Sequence, residues 1–373
     1  MKGVIICAFD TYFDRVRLLK EYYQKRGSEV LVLASDFSHR TKTYQPRHDA
    51  DFQVHVRAYQ KNFSADRIRS HQEFGKGARA EVEKIAPDWI HCLIPPNTLA
   101  KEIADYKSAH PNVRLIFDVI DLWPETMPMQ RFQWLLPFRH WKRLRDDHLH
   151  AADVILTECD LFRKVLHLEN DPKCTTLYWA RAELPADTQP QLEEKKLSFA
   201  YLGSINNIID ISMIVDFLDA CQRYKPVSLH IIGGGESKET FVHALMEKKI
   251  RVVDHGFIYD QQKKQEIFDR CDYALNVMKP SVVVGLSMKS LDYMCAQIPM
   301  INTIGGDLQK LCETEKIGIN IDRSNLKTAA ERVSSYSVDE RMCQRALIAS
   351  TYMKYFTQEA FEKRLDEAGV LNV

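Results

Sequence analysis

Lys289 and Asp292 stand one helical turn apart in Gly285-Leu-Ser-Met-Lys-Ser-Leu-Asp-Tyr-Met-Cys-Ala-Gln-Ile-Pro-Met-Ile-Asn-Thr303, and Ser287 just before them is a good helix N-cap. A helix starting at Met288 offers its unpaired N–H groups and the positive end of its dipole to an anion such as a diphosphate, worth about 0.3–1 kcal/mol and more when partly buried. Lys289 adds a formal charge there, and Asp292 is suited to accept from the vicinal hydroxyls of a ribose. The same residues also fit an ordinary surface helix with an i,i+3 Lys289–Asp292 pair.

Three shorter stretches have related chemistry. Gly203-Ser204-Ile205-Asn206-Asn207 follows an apolar run, and glycine there lets the backbone approach a ligand. Gly233-Gly234-Gly235-Glu236 follows another, but the GxGxxG frame fails because position 238 is Lys, which removes the main support for a dinucleotide fold. His255-Gly256-Phe257 offers peptide groups and an apolar ring, as a nucleobase requires. Each is also compatible with a plain strand-to-helix turn. In the first half, Asp118 and Asp121 with Trp123, Pro124 and Glu125 end a strand, and a carboxylate beside an indole suits a carbohydrate, with its hydroxyls and C–H faces.

These loops need a scaffold, and the hydropathy pattern supplies one. Buried-strand runs at 4–8, 30–34, 89–94, 113–119 and 152–157 alternate with helical periods at 14–26, 98–108 and 160–168. A second series has strands at 198–202, 227–232, 251–253, 272–277, 299–302 and 317–321, with helices at 210–222, 237–248, 261–269 and 288–296, and a helical stretch at about 324–366. ELPADTQPQLEEKK, residues 183–196, breaks the pattern and reads as a linker. The expectation is α/β, with two Rossmann-like domains, 1–185 and 186–373, facing a central cleft and binding ligands at the carboxyl ends of their strands, the final helices either staying with the second domain or packing back on the first.

Composition narrows the function classes. The 373 residues hold 51 Lys+Arg and 51 Asp+Glu, so the basic excess of a nucleic-acid binder is missing. No two of the nine cysteines are closer than 15 residues, which argues against a structural zinc site or a disulfide framework and suits a reducing compartment. The opening run MKGVIICAF is too short for a secretory or membrane-spanning segment, so a cytoplasmic location is expected.

Taken together and in order, the stretches resemble the family-4 type glycosyltransferases of GT-B fold that build bacterial surface polysaccharides such as capsule and exopolysaccharide. YFDRVRLLKEYYQKRGSEVLVLASDFSH resembles the family's acceptor half and DVIDLWPE its aspartate-Trp-Pro motif. YLGSINNIIDI, HIIGGGE, DHGFI and GLSMKSLDYMCAQIPMINT resemble successive donor-domain loops. The resemblance implies transfer of a sugar from a nucleotide-diphosphate sugar, a UDP-sugar above all, to a hydroxyl, with retention and without a cofactor or bound metal. By position it implies that Gly203, Ser204 and Asn206 line the phosphate and sugar, and that Gly234, Glu236, Gly256 and Phe257 surround the base. Gly285, Ser287, Lys289 and Ser290 would face the diphosphate or sugar, Asp292 the ribose, and Asp121 with Trp123 the acceptor or the anomeric centre; Asp121 and Lys289 are the catalytic candidates. Two departures stand out: the family's Glu-x7-Glu pair is Val284 and Asp292 here, and its basic pair after the first glycine is Asn206 and Asn207. A GT-B sugar-nucleotide epimerase and a catalytically silent partner subunit are the alternatives.

No acid occurs between Glu125 and Asp146, while Arg131, Arg139, Lys142, Arg143 and Arg145 interleave with Phe132, Trp134, Leu135, Leu136, Phe138 and Trp141. Residues 129–145 therefore suit either attachment to an anionic leaflet, the inner face of the plasma membrane, with a lipid-linked saccharide acceptor, or a core-packed helix with solvated charges.

Overall fold

Runs such as Trp89–Ile94 (WIHCLI) have no polar alternation, so both faces must be covered, and every residue of that run is buried in a parallel sheet. The computed structural model describes residues 1–62, 64–127, 134–181 and 188–371. The chain divides into two compact units, Met1–Ala180 with Phe361–Val373, and Arg181–Ala360.

The first unit runs β1 (Lys2–Cys7), α1 (Phe13–Lys25), β2 (Glu29–Ser35), β3 (Phe37–Ser38), β4 (Thr43–Tyr44), β5 (Phe52–Val54) and α2 (Ala65–Ile85). It continues with β6 (Trp89–Ile94), α3 (Asn97–Ala109), β7 (Arg114–Val119), α4 (Leu136–Asp146), β8 (Val154–Thr157), α5 (Asp160–Val165) and β9 (Cys174–Thr176). Seven strands form one parallel sheet in the order β5-β2-β1-β6-β7-β8-β9, with β3 and β4 a separate antiparallel ribbon. Alternate residues of β1 feed two cores: Val4 and Ile6 meet α2 and α3 through Ala78, Val82 and Ile103, while Ile5 and Cys7 meet α1 through Leu19 and Tyr23. Register is set directly, Val4 pairing Leu31 on one side and Ile90 on the other.

The second unit runs β10 (Leu197–Leu202), α6 (Ile211–Gln222), β11 (Val227–Ile232), α7 (Lys238–Glu247), β12 (Arg251–Asp254), α8 (Gln261–Phe268) and β13 (Tyr273–Asn276). After these come α9 (Met288–Cys295), β14 (Met300–Asn302), α10 (Gly306–Thr314), β15 (Gly318–Asn320), α11 (Leu326–Ser335) and α12 (Val338–Tyr355). Its six parallel strands are ordered β12-β11-β10-β13-β14-β15. A last helix, α13 (Gln358–Glu367), brings Phe361, Leu365 and Val370 into the core of the first unit.

Both sheets wind outward in two directions from their centre, which puts a topological switch point between β1 and β6 in the first unit and between β10 and β13 in the second. Crevices at such points, at the carboxyl ends of the strands, are where open α/β sheets take ligands. Among the described residues, no helix is long and apolar enough to cross a membrane.

Candidate functional site

In the second unit the switch point is flanked by the loop after β10 and the segment leading from β13 to α9, and β11 and β12 add their own loops beside it. The glycines there are steric necessities. A Cβ on Gly233 would collide with the Gly203 carbonyl, and one on Gly235 with the carbonyl of Ile205. Both also sit at positive φ, 135° and 146°. The two loops are thereby laced backbone to backbone: Ile205 N–H donates to the Gly234 carbonyl at 2.8 Å and Gly203 N–H to that of Ile232 at 2.9 Å. Gly233 N–H donates to the Gly256 carbonyl at 2.7 Å, tying in the third loop. Phe257 projects from it, 70% exposed, and its ring lies over Gly234, where an added Cβ would stand 2.7 Å from Cζ. Glu236 and Ser204 are exposed at the same end, and Gly256 is half-buried.

α9 starts at this end. Ser287 caps it, accepting from Ser290 N–H at 3.2 Å. Met288 and Lys289 N–H are left as the first-turn donors for an anion. Lys289 lies beside Gly203, whose added Cβ would be 4.0 Å from Lys289 Cε, and its ammonium donates to the Tyr201 hydroxyl at 3.2 Å while sitting 4.4 Å from that ring's centroid. Among the described residues it forms no ion pair, and burial pulls its pKa down to about 8. A half-buried cation beside glycine backbone is the chemistry an anion would find favourable.

Of the other expected ligand residues, Ser290, Gly285 and Asn206 are tied into the scaffold, and Asp292 is held by an arginine. Ser290 is fully buried, its hydroxyl 2.7 Å from Ser287 Oγ and accepting from Asn276 Nδ2 at 2.8 Å, so it braces α9 against β13 and offers nothing to a ligand. Gly285 is buried, its carbonyl accepting from Leu308 N–H at 2.9 Å. Asn206 turns its side chain onto its own loop, Oδ1 accepting from Ile208 N–H at 3.2 Å. Asp292 does not pair with Lys289; Arg181 holds its Oδ1 at 3.0 Å, and burial pushes its pKa up.

The first unit gathers a second polar group at the carboxyl ends of β1, β7 and β8. The two acids of the aspartate-rich strand end divide their labour. Asp118 is fully buried in a bidentate pair with Arg15, at 2.6 and 2.8 Å, with His91 Nε2 at 3.4 Å; burial opposes its charge, and Arg15 outweighs burial and keeps its pKa low. Asp121 is half-exposed, accepts from Thr126 Oγ1 at 2.6 Å, and has its pKa raised by burial. Trp123 differs from expectation: it is 8% exposed, stacked on His71 at 5.7 Å with the Arg67 guanidinium 4.2 Å from its centroid, so its faces serve protein packing and not a sugar. Sequence reasoning missed Glu158, the residue after β8, whose pKa rises to about 8 through burial and the neighbouring Asp121. An acid just past a buried strand was the signal that found Asp121, and it applied equally here.

α4 carries the basic-aromatic stretch. Trp134 and Leu136 are 73% and 77% exposed, with Arg139, His140 and Arg143 exposed alongside. Lys142 and Arg145 are instead engaged with Glu125, each at 2.7 Å, and Trp141 packs on the core. Arg131 and Phe132 lie outside the described residues.

Comparison with known proteins follows the same outline. A family profile described as glycosyl transferases group 1 matches residues 196–338. No match is found among curated proteins. Among solved structures, the lipopolysaccharide outer core galactosyltransferase WaaB in its apo form superposes with a TM-score of 0.71 at 14% identity, covering all of both chains. A sucrose-phosphate synthase from Thermosynechococcus elongatus gives 0.68 at 14% identity over 98% of each chain, and Anabaena HepE in complex with UDP and glucose 0.65 at 12% over 98% of each. At such identities the likeness establishes the fold.

Proposed function

From the match of residues 196–338 to the group 1 glycosyltransferase profile and the GT-B fold of the chain, we propose that this protein transfers a sugar from a nucleotide-diphosphate sugar, a UDP-sugar first among them, to a hydroxyl of a lipid-linked saccharide in surface polysaccharide assembly. The observation that carries the reading is Lys289: a half-buried cation without a counter-ion, in the first turn of α9, against the Gly203 loop at the switch point of the second sheet.

The residues suggest how transfer would run. The α9 N–H groups and Lys289 hold the diphosphate and stabilise the charge that builds on it as the glycosidic bond breaks. Phe257, lying over Gly234, gives the base an apolar wall, and Asp292, oriented by Arg181, accepts from the ribose. Asp121 orients the acceptor hydroxyl in the first unit. The exposed Trp134 and Leu136, with Arg139 and Arg143, place α4 on an anionic leaflet near its lipid-linked acceptor.

Purified protein incubated with a panel of nucleotide sugars and saccharide-lipid acceptors tests the proposal through released UDP. Release that depends on acceptor supports it. Release without acceptor, with an epimerised sugar, replaces it by a sugar-nucleotide epimerase, and nucleotide binding without turnover by a silent partner, the reading that Val284 favours. Co-sedimentation with phosphatidylglycerol vesicles at low salt is expected for the wild type and lost in Trp134→Glu/Leu136→Glu; wild type left in the supernatant removes the membrane part.

A further inference from the structure

One charge in the first unit lacks a counter-ion. Arg67, in the first turn of α2, is 4% exposed. Its Nε–H points at His71 Nε2 at 3.4 Å, its Nη1–H donates to the Asn62 carbonyl at 2.9 Å, and its guanidinium rests over the Trp123 ring. Among the described residues it forms no ion pair, and a buried guanidinium held only by neutral groups is costly to desolvate.

A second cation stands beside it. Lys42 reaches Asn62 Oδ1 at 2.7 Å and His39 Nδ1 at 3.3 Å, and its ammonium lies 4.6 Å from the Tyr59 centroid. Burial and then Arg67 lower the Lys42 pKa, and burial, Arg67 and Lys42 together hold His39 neutral, at about 4. The nearest acids, Asp10 and Asp121, attract the two cations but form no ion pair with either among the described residues: Asp10 accepts from Ser38 Oγ at 2.6 Å and from His39 N–H at 3.0 Å, and Asp121 from Thr126.

His71 props Arg67 without adding a charge. It is 3% exposed, and since Arg67 Nε–H points at its Nε2, the neutral ring carries its proton on Nδ1, on the side away from the guanidinium. These groups sit on the β2–β3 side of the sheet and at the start of the helix that follows β5, the carboxyl end of the strands, as Asp121 does.

We infer that Arg67 and Lys42 form a phosphate-ester site in the first unit that reads a phosphate on the acceptor. Two positive charges, one of them a planar fork of N–H donors, match a phosphate monoester or diphosphate better than a neutral saccharide. The inference rests on the transfer reaction proposed above. A sugar phosphate and a prenyl diphosphate present the same chemistry, and they are told apart experimentally.

The full chain, saturated with UDP so that the second unit's anion site is filled, is titrated calorimetrically with glucose 1-phosphate and with methyl α-glucoside. Glucose 1-phosphate should bind, and Arg67→Gln and Lys42→Asn should each weaken it by about tenfold or more, while UDP affinity stays as in the wild type. Asn tolerates the φ of 60° at position 42, and that side chain is half-exposed, so Lys42→Asn keeps the test alive if Arg67→Gln does not fold. Displacement of glucose 1-phosphate by farnesyl diphosphate assigns the site to a prenyl-diphosphate acceptor; binding that farnesyl diphosphate leaves untouched assigns it to a sugar phosphate. Wild-type protein that binds UDP but not glucose 1-phosphate, or variants that bind it as tightly as wild type, overturns this inference alone. Failure of the wild type to bind UDP removes the proposed function instead.

Discussion

Lys289 is placed where folding alone would not keep it. Burial lowers its pKa to about 8 from the usual 10.5, so the folded state disfavours the ammonium and stability from this group rises as pH climbs from 8 towards 10.5. Lys289→Met should therefore raise the melting temperature of the ligand-free protein at pH 7 by about 2–4 °C. In exchange it should weaken UDP binding by about tenfold or more, the loss expected on removing a charge-assisted contact. Titrations from pH 7 to 9 supply the second check: wild-type affinity for UDP falls as the lysine deprotonates, and the variant's stays flat. A variant that binds UDP as well as wild type removes Lys289 from the site. Glu158 has the opposite linkage. Its folded pKa, raised to about 8 by burial and Asp121, means its contribution is complete below about 4.5 and is lost as pH passes 8. Glu158→Gln should match wild type in thermal stability near pH 4.5 and exceed it by a margin that grows up to about pH 8; parallel curves would show that folding does not shift the Glu158 titration. Single residues were read unevenly from sequence. Lys289 stands out in the sequence because a cap and a first-turn cation are local signals, whereas Arg67 does not, because its burial without an ion pair depends on segments distant in the chain.

At the scale of elements, strands were the clearest. Residues 89–94 and 227–232 are strands as predicted: the first is buried along its whole length and written as one run, while the second alternates, Ser228 and His230 being half-buried between buried apolar residues. The 21-residue α2 went unread, since Gly75 and Gly77 interrupt its pattern and each costs about 1 kcal/mol relative to Ala in a helix. Packing explains them: a Cβ on Gly77 would run into Val54 of β5, and one on Gly75 would stand 3.3 Å from the Thr98 carbonyl of α3. Tertiary contact, invisible locally, overrode propensity. The donor loops allow the same logic to be tested. Gly27 and Gly235 both have positive φ, 78° and 146°, but nothing lies near a Cβ on Gly27, whereas Gly235 abuts the Ile205 backbone. Gly27→Ala should cost roughly 1–2 kcal/mol, the strain alone. Gly235→Ala should cost more than that and also abolish UDP binding, because the loop carrying Ser204 must move. Equal urea midpoints for the two variants would show that the loops are not locked together.

For the whole molecule, chain order and structural order disagree in a way that matters for folding. The first unit's core is completed by the chain's last segment, with Phe361 2% exposed and Leu365 and Val370 fully buried beside Leu19 and Tyr23. Phe361 also carries the Arg15 guanidinium at 5.3 Å from its centroid, so it backs the buried Arg15–Asp118 pair beneath the acceptor-side loops. Three such side chains are worth roughly 1.5–3 kcal/mol each as an upper estimate, comparable with the ~5–15 kcal/mol that holds an average domain folded. The surface pairs that accompany them, Lys25–Glu362 and Arg26–Asp366, both at 2.6 Å, are largely solvated and add ~0–1 kcal/mol apiece. Phe361→Ala should therefore lower stability by about 3–5 kcal/mol and Lys25→Ala by less than about 1 kcal/mol, measured by urea denaturation. A chain ended at Thr357 should leave residues 1–180 open to limited proteolysis while residues 196–338 stay resistant, since the second unit's strands and helices lie upstream of the cut. On that footing the second unit can be complete while the first is still waiting for its last helix, and UDP binding, if the proposed function holds, should appear before the first unit gains protection as the protein refolds. Proteolytic protection of the first unit in the truncated chain would show that α13 is dispensable and that the two halves mature in the order they are written.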